Sequence, residues 1–246
     1  MRNALSGTNA AAYSYVPNSP LVGTITFQQG ANTRLTTTKA YDKLNRLTSL
    51  SSAPSASSAV SAAYNYNSAN QRTKLTREDS RYWDYGYDSL GQVTSAKKYL
   101  SGGGAMLGHD FEYTFDDMGN RKTATVNSQI SNYSANSLNQ YSSRTVPGAV
   151  DVMGEAQADA TVTVMSPATN GTIHPALRQG DWFYRQLTVD NSTAAQFPTI
   201  KITGVKNNVG ANGEDAVTEV TKSTLVAQTP ESFGHDADGN LTADAK

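Results

Sequence analysis

A short motif recurs along this 246-residue chain, and it constrains the fold more than any other feature. Its order is an aromatic residue, Asp or Asn, two variable residues, Gly or Asn, then a polar residue. The clear copies are Tyr41-Asp42-Lys43-Leu44-Asn45-Arg46, Tyr66-Asn67-Ser68-Ala69-Asn70-Gln71, Tyr87-Asp88-Ser89-Leu90-Gly91-Gln92 and Phe115-Asp116-Asp117-Met118-Gly119-Asn120. A decayed copy is Ala135-Asn136-Ser137-Leu138-Asn139-Gln140, and a last one is His235-Asp236-Ala237-Asp238-Gly239-Asn240. The leading positions are spaced 25, 21, 28 and 20 residues apart, and then 100. A period of this length marks one supersecondary unit per repeat, and the final jump marks an insertion.

Elementary chemistry reads each copy as strand, turn, strand. The aromatic ends an incoming strand, and Asp or Asn opens a turn by accepting a backbone N–H. Gly or Asn three residues later takes φ > 0 at little cost. An outgoing strand then starts near Leu47-Thr48 or Val93-Thr94. A second aromatic often stands two residues before the first, as Tyr64, Tyr85, Tyr113 and Phe233 do, and Trp83 extends one such stripe to three rings with Tyr85 and Tyr87. Period two places these rings on one sheet face. Tyr13 and Tyr15, followed by Asn18 and Pro20, read as a worn copy upstream. A single hairpin is marginal in water, so neighbouring copies must pair. Turns are expected at 42–46, 67–71, 88–92 and 116–120, with helix in under about a tenth of the chain.

Composition agrees. Apolar residues are 37% and charged residues 17%, and the aromatics are 13 Tyr against 6 Phe and 2 Trp. Thr and Tyr suit a pleated sheet, while Gly, Asn and Asp suit tight turns. With a net charge of −1 and no basic cluster beyond pairs such as Lys97-Lys98 and Arg121-Lys122, the chain has no electrostatic footprint for nucleic acid. No apolar stretch is long enough to insert in a membrane, and residues 1–20 hold no signal-peptide run. Cysteine is absent, which removes disulfides and thiolate metal sites.

Residues 13–140 and 233–246 resemble the YD-repeat, or RHS-repeat, family of polymorphic-toxin and toxin-complex shells. Tyr85-Gly86-Tyr87-Asp88-Ser89-Leu90-Gly91-Gln92-Val93-Thr94 is close to the family consensus, and the stretch from Glu112 to Arg121 nearly so. The resemblance implies hairpins coiled into a β-shell around a C-terminal effector polypeptide; related arrays occur in cell-surface adhesion proteins. It makes Tyr41, Asp42, Tyr66, Asn67, Tyr87, Asp88, Gly91, Phe115, Asp116, Gly119, Asp236 and Gly239 the structural repeat positions. Ala135 and His235 depart from the aromatic, and Asn67 and Asn136 from Asp. The family's autoproteolytic motif and any effector domain are not found in these residues, and neither end is expected to be a natural domain end.

Residues 150–232 break the repeat. Val150, Val152, Val162, Val164, Leu187, Val189, Ile200 and Ile202 form alternating pairs, the mark of half-buried strands. Gly154, Asn170-Gly171, Gly180-Asp181, Asn191-Ser192 and Asn207-Asn208 punctuate them as turns. About 80 residues with five or more short strands fit a small β-sandwich, and the stretch from Gly154 to Val164 resembles the opening strands of bacterial immunoglobulin-like modules. The expected organisation is a leader without repeat at 1–12, a hairpin array at 13–149, an inserted β-sandwich at 150–232, and a resumed repeat at 233–246. The fold class is all-β, an open array of antiparallel hairpins carrying an inserted sandwich.

No constellation points to catalysis, metal or cofactor. His109, His174 and His235 lack partners at zinc spacing, and His235 occupies an aromatic slot. Asp236-Ala237-Asp238-Gly239-Asn240 starts like a calcium loop but lacks its closing Glu. Asp116-Asp117 could pair for acid–base work, yet adjacent strand residues face opposite ways and Asp116 is a turn residue. Ser101-Gly102-Gly103-Gly104 reads as a hairpin loop, because no Lys-Ser/Thr follows it. Trp83, Tyr85 and Tyr87 remain as binding candidates, since aromatic platforms stack on sugars; the alternative is a ladder within the wall. The expectation is therefore a non-enzymatic shell segment whose partners are further repeats of its parent chain and a C-terminal effector polypeptide. A cell-surface adhesion or carbohydrate-binding module is the second reading, with glycans as partners. Either would be secreted or surface-borne as part of a larger protein.

Overall fold

The computed structural model describes residues 3–6, 8–166 and 171–244, and they form two compact units, residues 1–105 and 106–246. Among the described residues there are twenty-two strands and no helix. The protein is all-β and its sheets are antiparallel, as the repeat predicts. Of the expected turns in the insert, Asn170 lies outside the described residues, while Gly171 has φ 71°.

The first unit is an open run of strands, each paired with the next. They are β1 (Asn3–Ser6), β2 (Asn9–Tyr15), β3 (Val22–Gln29), β4 (Asn32–Tyr41), β5 (Leu47–Pro54), β6 (Val60–Tyr66), β7 (Arg72–Arg77), β8 (Tyr82–Tyr87) and β9 (Val93–Tyr99). Pairing thus begins upstream of the worn copy, within residues 1–12. The register sorts the side chains by chemistry. Tyr13, Ile25, Phe27, Leu35, Leu50, Ala62, Tyr64, Leu75, Trp83, Tyr85 and Ala96 share one face. The other face carries Thr24, Thr26, Thr36, Thr38, Ser49 and Ser51, and further along Asn65, Lys74, Asp84 and Lys97. Few side chains are sealed from solvent: Thr37 and Ala62 alone are buried among the described residues of this unit. A single sheet layer covers neither face, so its rings end half-buried.

The second unit opens with β10 (Ala105–Phe115), β11 (Arg121–Val126), β12 (Gln129–Ala135) and β13 (Tyr141–Arg144). The chain then leaves this ladder for β14 (Ala149–Glu155), β15 (Thr161–Met165), β16 (Ile173–Pro175), β17 (Leu177–Gln179), β18 (Trp182–Thr188), β19 (Thr199–Lys206) and β20 (Ala216–Ser223). It returns as β21 (Glu231–His235), which pairs with β13, and β22 (Leu241–Asp244). The excursion builds two sheets, ordered β14-β18-β17 and β16-β15-β19-β20. Between them lie Val152, Val162, Val164, Phe183, Leu187 and Ile200, with Val150 and Ile202 against them. Apart from Phe183 these are alternating residues of the sequence, now filling a sandwich core. Gly154 is opposite Phe183, and a Cβ there would lie 2.9 Å from the Phe183 ring, so the aromatic occupies the space the glycine leaves open.

The sandwich does not stand clear of the hairpins. The outward face of β18 presents Trp182, Tyr184 and Gln186 to the β10–β12 hairpins, and these make the contacts described below. The compact unit therefore joins the insert to β10–β13 and β21–β22.

Candidate functional site

Every repeat copy builds the same device. In the first, the Asn45 amide donates to the Asp42 carbonyl, Asn45 has φ 62°, and the Asp42 amide donates to the Arg46 carbonyl. This is a type I turn with Asp at its first position and a left-handed residue at its fourth, closed as a G1 bulge. Asn70 (63°), Gly91 (85°), Gly119 (86°), Asn139 (59°) and Gly239 (87°) fill the same left-handed slot. The acidic or amide side chain then grips the loop. The Asp88 carboxylate accepts from the amides of Leu90 and Gln92 and from Gln92 Nε2. Asp42, Asn67, Asp116, Asn136 and Asp236 accept the equivalent pair of amides. Where the first residue is Asn, its Nδ2 donates to a Gln Oε1 four residues on, as from Asn67 to Gln71 and Asn136 to Gln140. Where it is Asp, the residue four further on is a donor: Arg46, Gln92, Asn120 or Asn240. Both carboxylate oxygens of Asp116 and of Asp236 are thus engaged in turn bonds. These bonds hold both acids below the usual carboxylate range, the amide of Asn120 or Asn240 contributing most.

Consecutive copies are joined by the repeat tyrosine. Its hydroxyl donates to the carbonyl of the residue that opens the outgoing strand of the preceding copy: Tyr41 to Val22 (3.1 Å), Tyr66 to Leu47 (2.7 Å) and Tyr87 to Arg72 (2.7 Å). A register shift falls immediately before the repeat position in each copy, at Ala40/Tyr41, Asn65/Tyr66, Gly86/Tyr87, Thr114/Phe115, Ser134/Ala135 and Gly234/His235. In the fifth copy the tyrosine is missing. Tyr141, directly opposite Ala135, takes over: its hydroxyl accepts from the Arg121 amide at 2.7 Å. The turns also touch. Arg46 reaches Asn70 Oδ1 at 2.9 Å, and Asn120 Nδ2 reaches Asn139 Oδ1 at 3.0 Å.

The stripe proposed from the sequence lies together on β8. Trp83 and Tyr85 share a face, with ring centroids 6.5 Å apart and planes 9° from parallel, and Lys98 Nζ stands 5.9 Å from the Trp83 centroid. Arg72 covers the Tyr64 ring at 4.0 Å. Trp83, Tyr85 and Tyr87 are all half-buried. A ladder within the wall would bury Tyr85 and Tyr87 deeply; both instead stay half-buried, and among the described residues of this unit no second layer closes over the sheet. Burial still raises the Tyr85 phenol above its ordinary value.

The sequence did not mark the root of the insert, where several polar side chains meet. The Trp182 indole donates to the Leu107 carbonyl at 3.0 Å, and the Leu107 amide donates to Gln179 Oε1 at 2.9 Å. Gly108 has φ 81° and the Tyr184 ring only 2.8 Å from where a Cβ would stand. Asp151 accepts from Tyr184 (2.8 Å), from Gln186 Nε2 (2.9 Å) and from Asn127 Nδ2. Burial, reinforced by Asp151, pushes the Tyr184 phenol well above its ordinary value. The hydrogen bonds themselves make this a clamp that ties β14 and β18 to the hairpins. Buried Asn191 donates to the carbonyls of Val146 and Ala227 and so ties the outgoing and returning segments together. Beside them Glu231, 1% exposed, pairs with Arg144 across β21 and β13, and its Oε1 has no partner among the described residues. Sequence patterns miss this pair because its members are 87 residues apart.

No protein-family model and no curated protein matches the chain. Among solved structures the chain is similar to one in the crystal structure of TcdB2-TccC3-Cdc42, with 12% identity and a TM-score of 0.48. The match covers 92% of this chain and 15% of that one, so this chain spans a small part of its length.

Proposed function

We propose that this chain is a wall segment of a YD-repeat shell that encapsulates or presents a C-terminal effector polypeptide, without covalent chemistry of its own. The observation that carries the reading is the tyrosine tie. The copies led by Tyr41 and Tyr66 each supply both a hydroxyl for the hairpin before and a carbonyl for the copy after: Tyr41 donates to Val22 while Leu47 accepts from Tyr66, and Tyr66 donates to Leu47 while Arg72 accepts from Tyr87. A unit with both halves of its own joint is built to be extended. The carboxylates of the repeat are engaged in turns and the tyrosines in ties, which suits a structural role. The test is limited proteolysis of the parent protein expressed from its full reading frame. A C-terminal polypeptide that resists digestion until the repeat region is denatured supports the shell. Digestion at the rate of that polypeptide alone overturns it.

A second reading rests on the Trp83–Tyr85 pair, whose parallel, half-exposed rings suit stacking on the apolar face of a sugar. This would make the segment an adhesion or carbohydrate-binding module. A glycan array decides: saturable binding that Trp83→Ala abolishes favours adhesion, and no binding leaves the shell.

A further inference from the structure

The sandwich is one strand short. Its second sheet has four strands and its first has three, and the uncovered strand is β20. The register places Thr218, Val220 and Lys222 opposite Gly204, Ile202 and Ile200, so they share the inward face of that sheet with the core isoleucines. Yet all eight residues of β20 are exposed. Among the described residues nothing from the opposite sheet closes over them. Instead there is a trough, formed by hollows of about 360 and 490 Å³ that share Glu155, Ala156, Gly204 and Thr218. Its floor is apolar, with Val162, Ile202 and Val220, and one wall is the end of β14. Gly204 contributes to the vacancy, since the nearest atom to a Cβ there would be the Thr218 carbonyl oxygen at 4.0 Å.

We infer that this trough is a strand-addition site. It takes an extended polypeptide segment that pairs with the edge of β14 and completes a four-on-four sandwich. Main-chain bonds to an edge strand give such a site its affinity, and alternate side chains in the hollow give its selectivity. The floor calls for small or β-branched apolar residues at every second position. Lys222 fixes the charge: it points inward, makes no ion pair among the described residues, and stands at one end of the trough. The segment therefore carries a carboxylate at that end. The other lysines nearby are already engaged, Lys201 with Glu219 and Lys206 with Asp159. A second copy's β20 fits poorly, because an inward lysine on an edge strand opposes edge-to-edge pairing and would bring like charges together.

The probe is an acetylated, amidated hexapeptide, Glu-Thr-Val-Thr-Val-Thr, which puts the carboxylate and both valines on one face of the strand; it is titrated into the whole chain by NMR or fluorescence anisotropy, with a Lys-for-Glu peptide as its control. Saturable binding of the acidic peptide is expected, at least about tenfold tighter than the control. Gly204→Val, which adds a side chain where there is room for one, should keep the fold by circular dichroism and remove binding. Lys222→Glu should reverse the preference between the two peptides. No saturable binding at millimolar peptide, or binding indifferent to Gly204→Val, overturns the inference. So does sedimentation showing a dimer that Gly204→Val dissolves, which would make a second copy the occupant.

Discussion

The Tyr66 hydroxyl donates to the Leu47 carbonyl at 2.7 Å and so joins two consecutive hairpins through a bond that neither could make alone. Tyr87 and Arg72 repeat the relationship. Tyr66→Phe keeps the ring and removes the bond. It should cost about 1 kcal/mol, seen as a fall in melting temperature of about 2–4 °C for a chain of this size. Tyr141→Phe should cost a similar amount, because it leaves the Arg121 amide without its hydroxyl. Unchanged melting temperatures would show that water replaces the hydroxyls at no cost.

Gly91 and Gly119 have φ of 85° and 86°, in a slot that Asn45, Asn70 and Asn139 fill elsewhere. Gly91→Asn and Gly119→Asn should therefore be nearly neutral. Gly91→Val and Gly119→Val should each destabilise by about 1–3 kcal/mol, since a β-branched residue is strained there. Chemical denaturation of the four variants checks the ranking, which fails if Val and Asn behave alike.

Asp116 and Asp236 are held below their ordinary value near 3.8 by turn hydrogen bonds. A carboxyl depressed in the folded state contributes stability that is fully present above its unfolded value and is lost as pH falls through the folded one. The melting temperature should thus be flat above about pH 5 with respect to these groups and should fall as the pH drops below the 3.8 region. Carboxyl carbon NMR should place both midpoints below 3.8, and a midpoint at or above that value would refute the turn assignment.

Glu231 and Arg144 are unequally buried: the Glu231 side chain is 1% exposed and that of Arg144 37%. Removing either partner should therefore have unequal effects. Arg144→Met strands a buried carboxylate and should cost about 3 kcal/mol or more. Glu231→Leu leaves an arginine that can reach water, and it also removes the unpaired Oε1; its cost should be about 1 kcal/mol or less. Equilibrium unfolding of both variants measures the difference, and equal losses would contradict it.

Tyr85 is half-buried beside Trp83, so Tyr85→Ala should cost about 1–2 kcal/mol, less than the 3–5 or so of a fully enclosed aromatic. A loss at the upper figure would mean that something covers the rings in solution.

What is local was legible in the sequence. An Asp or Asn followed at the third position by Gly or Asn specifies a type I turn with a left-handed close, because every bond in it falls within five residues. The alternation from Val150 to Ile202 likewise determined a sandwich core, since period two needs only the strand itself. Tertiary structure decided what depends on neighbours distant in the chain. It set the carbonyl that each tyrosine hydroxyl finds 15–19 residues back and the substitution of Tyr141 for the ring missing at Ala135. It docked the insert through Asp151, Trp182 and Gln186, and it buried Glu231 against Arg144. It also left the Trp83–Tyr85 stripe half-buried, because burial depends on whether a second layer covers a face, and a period-two pattern specifies only that the face is apolar.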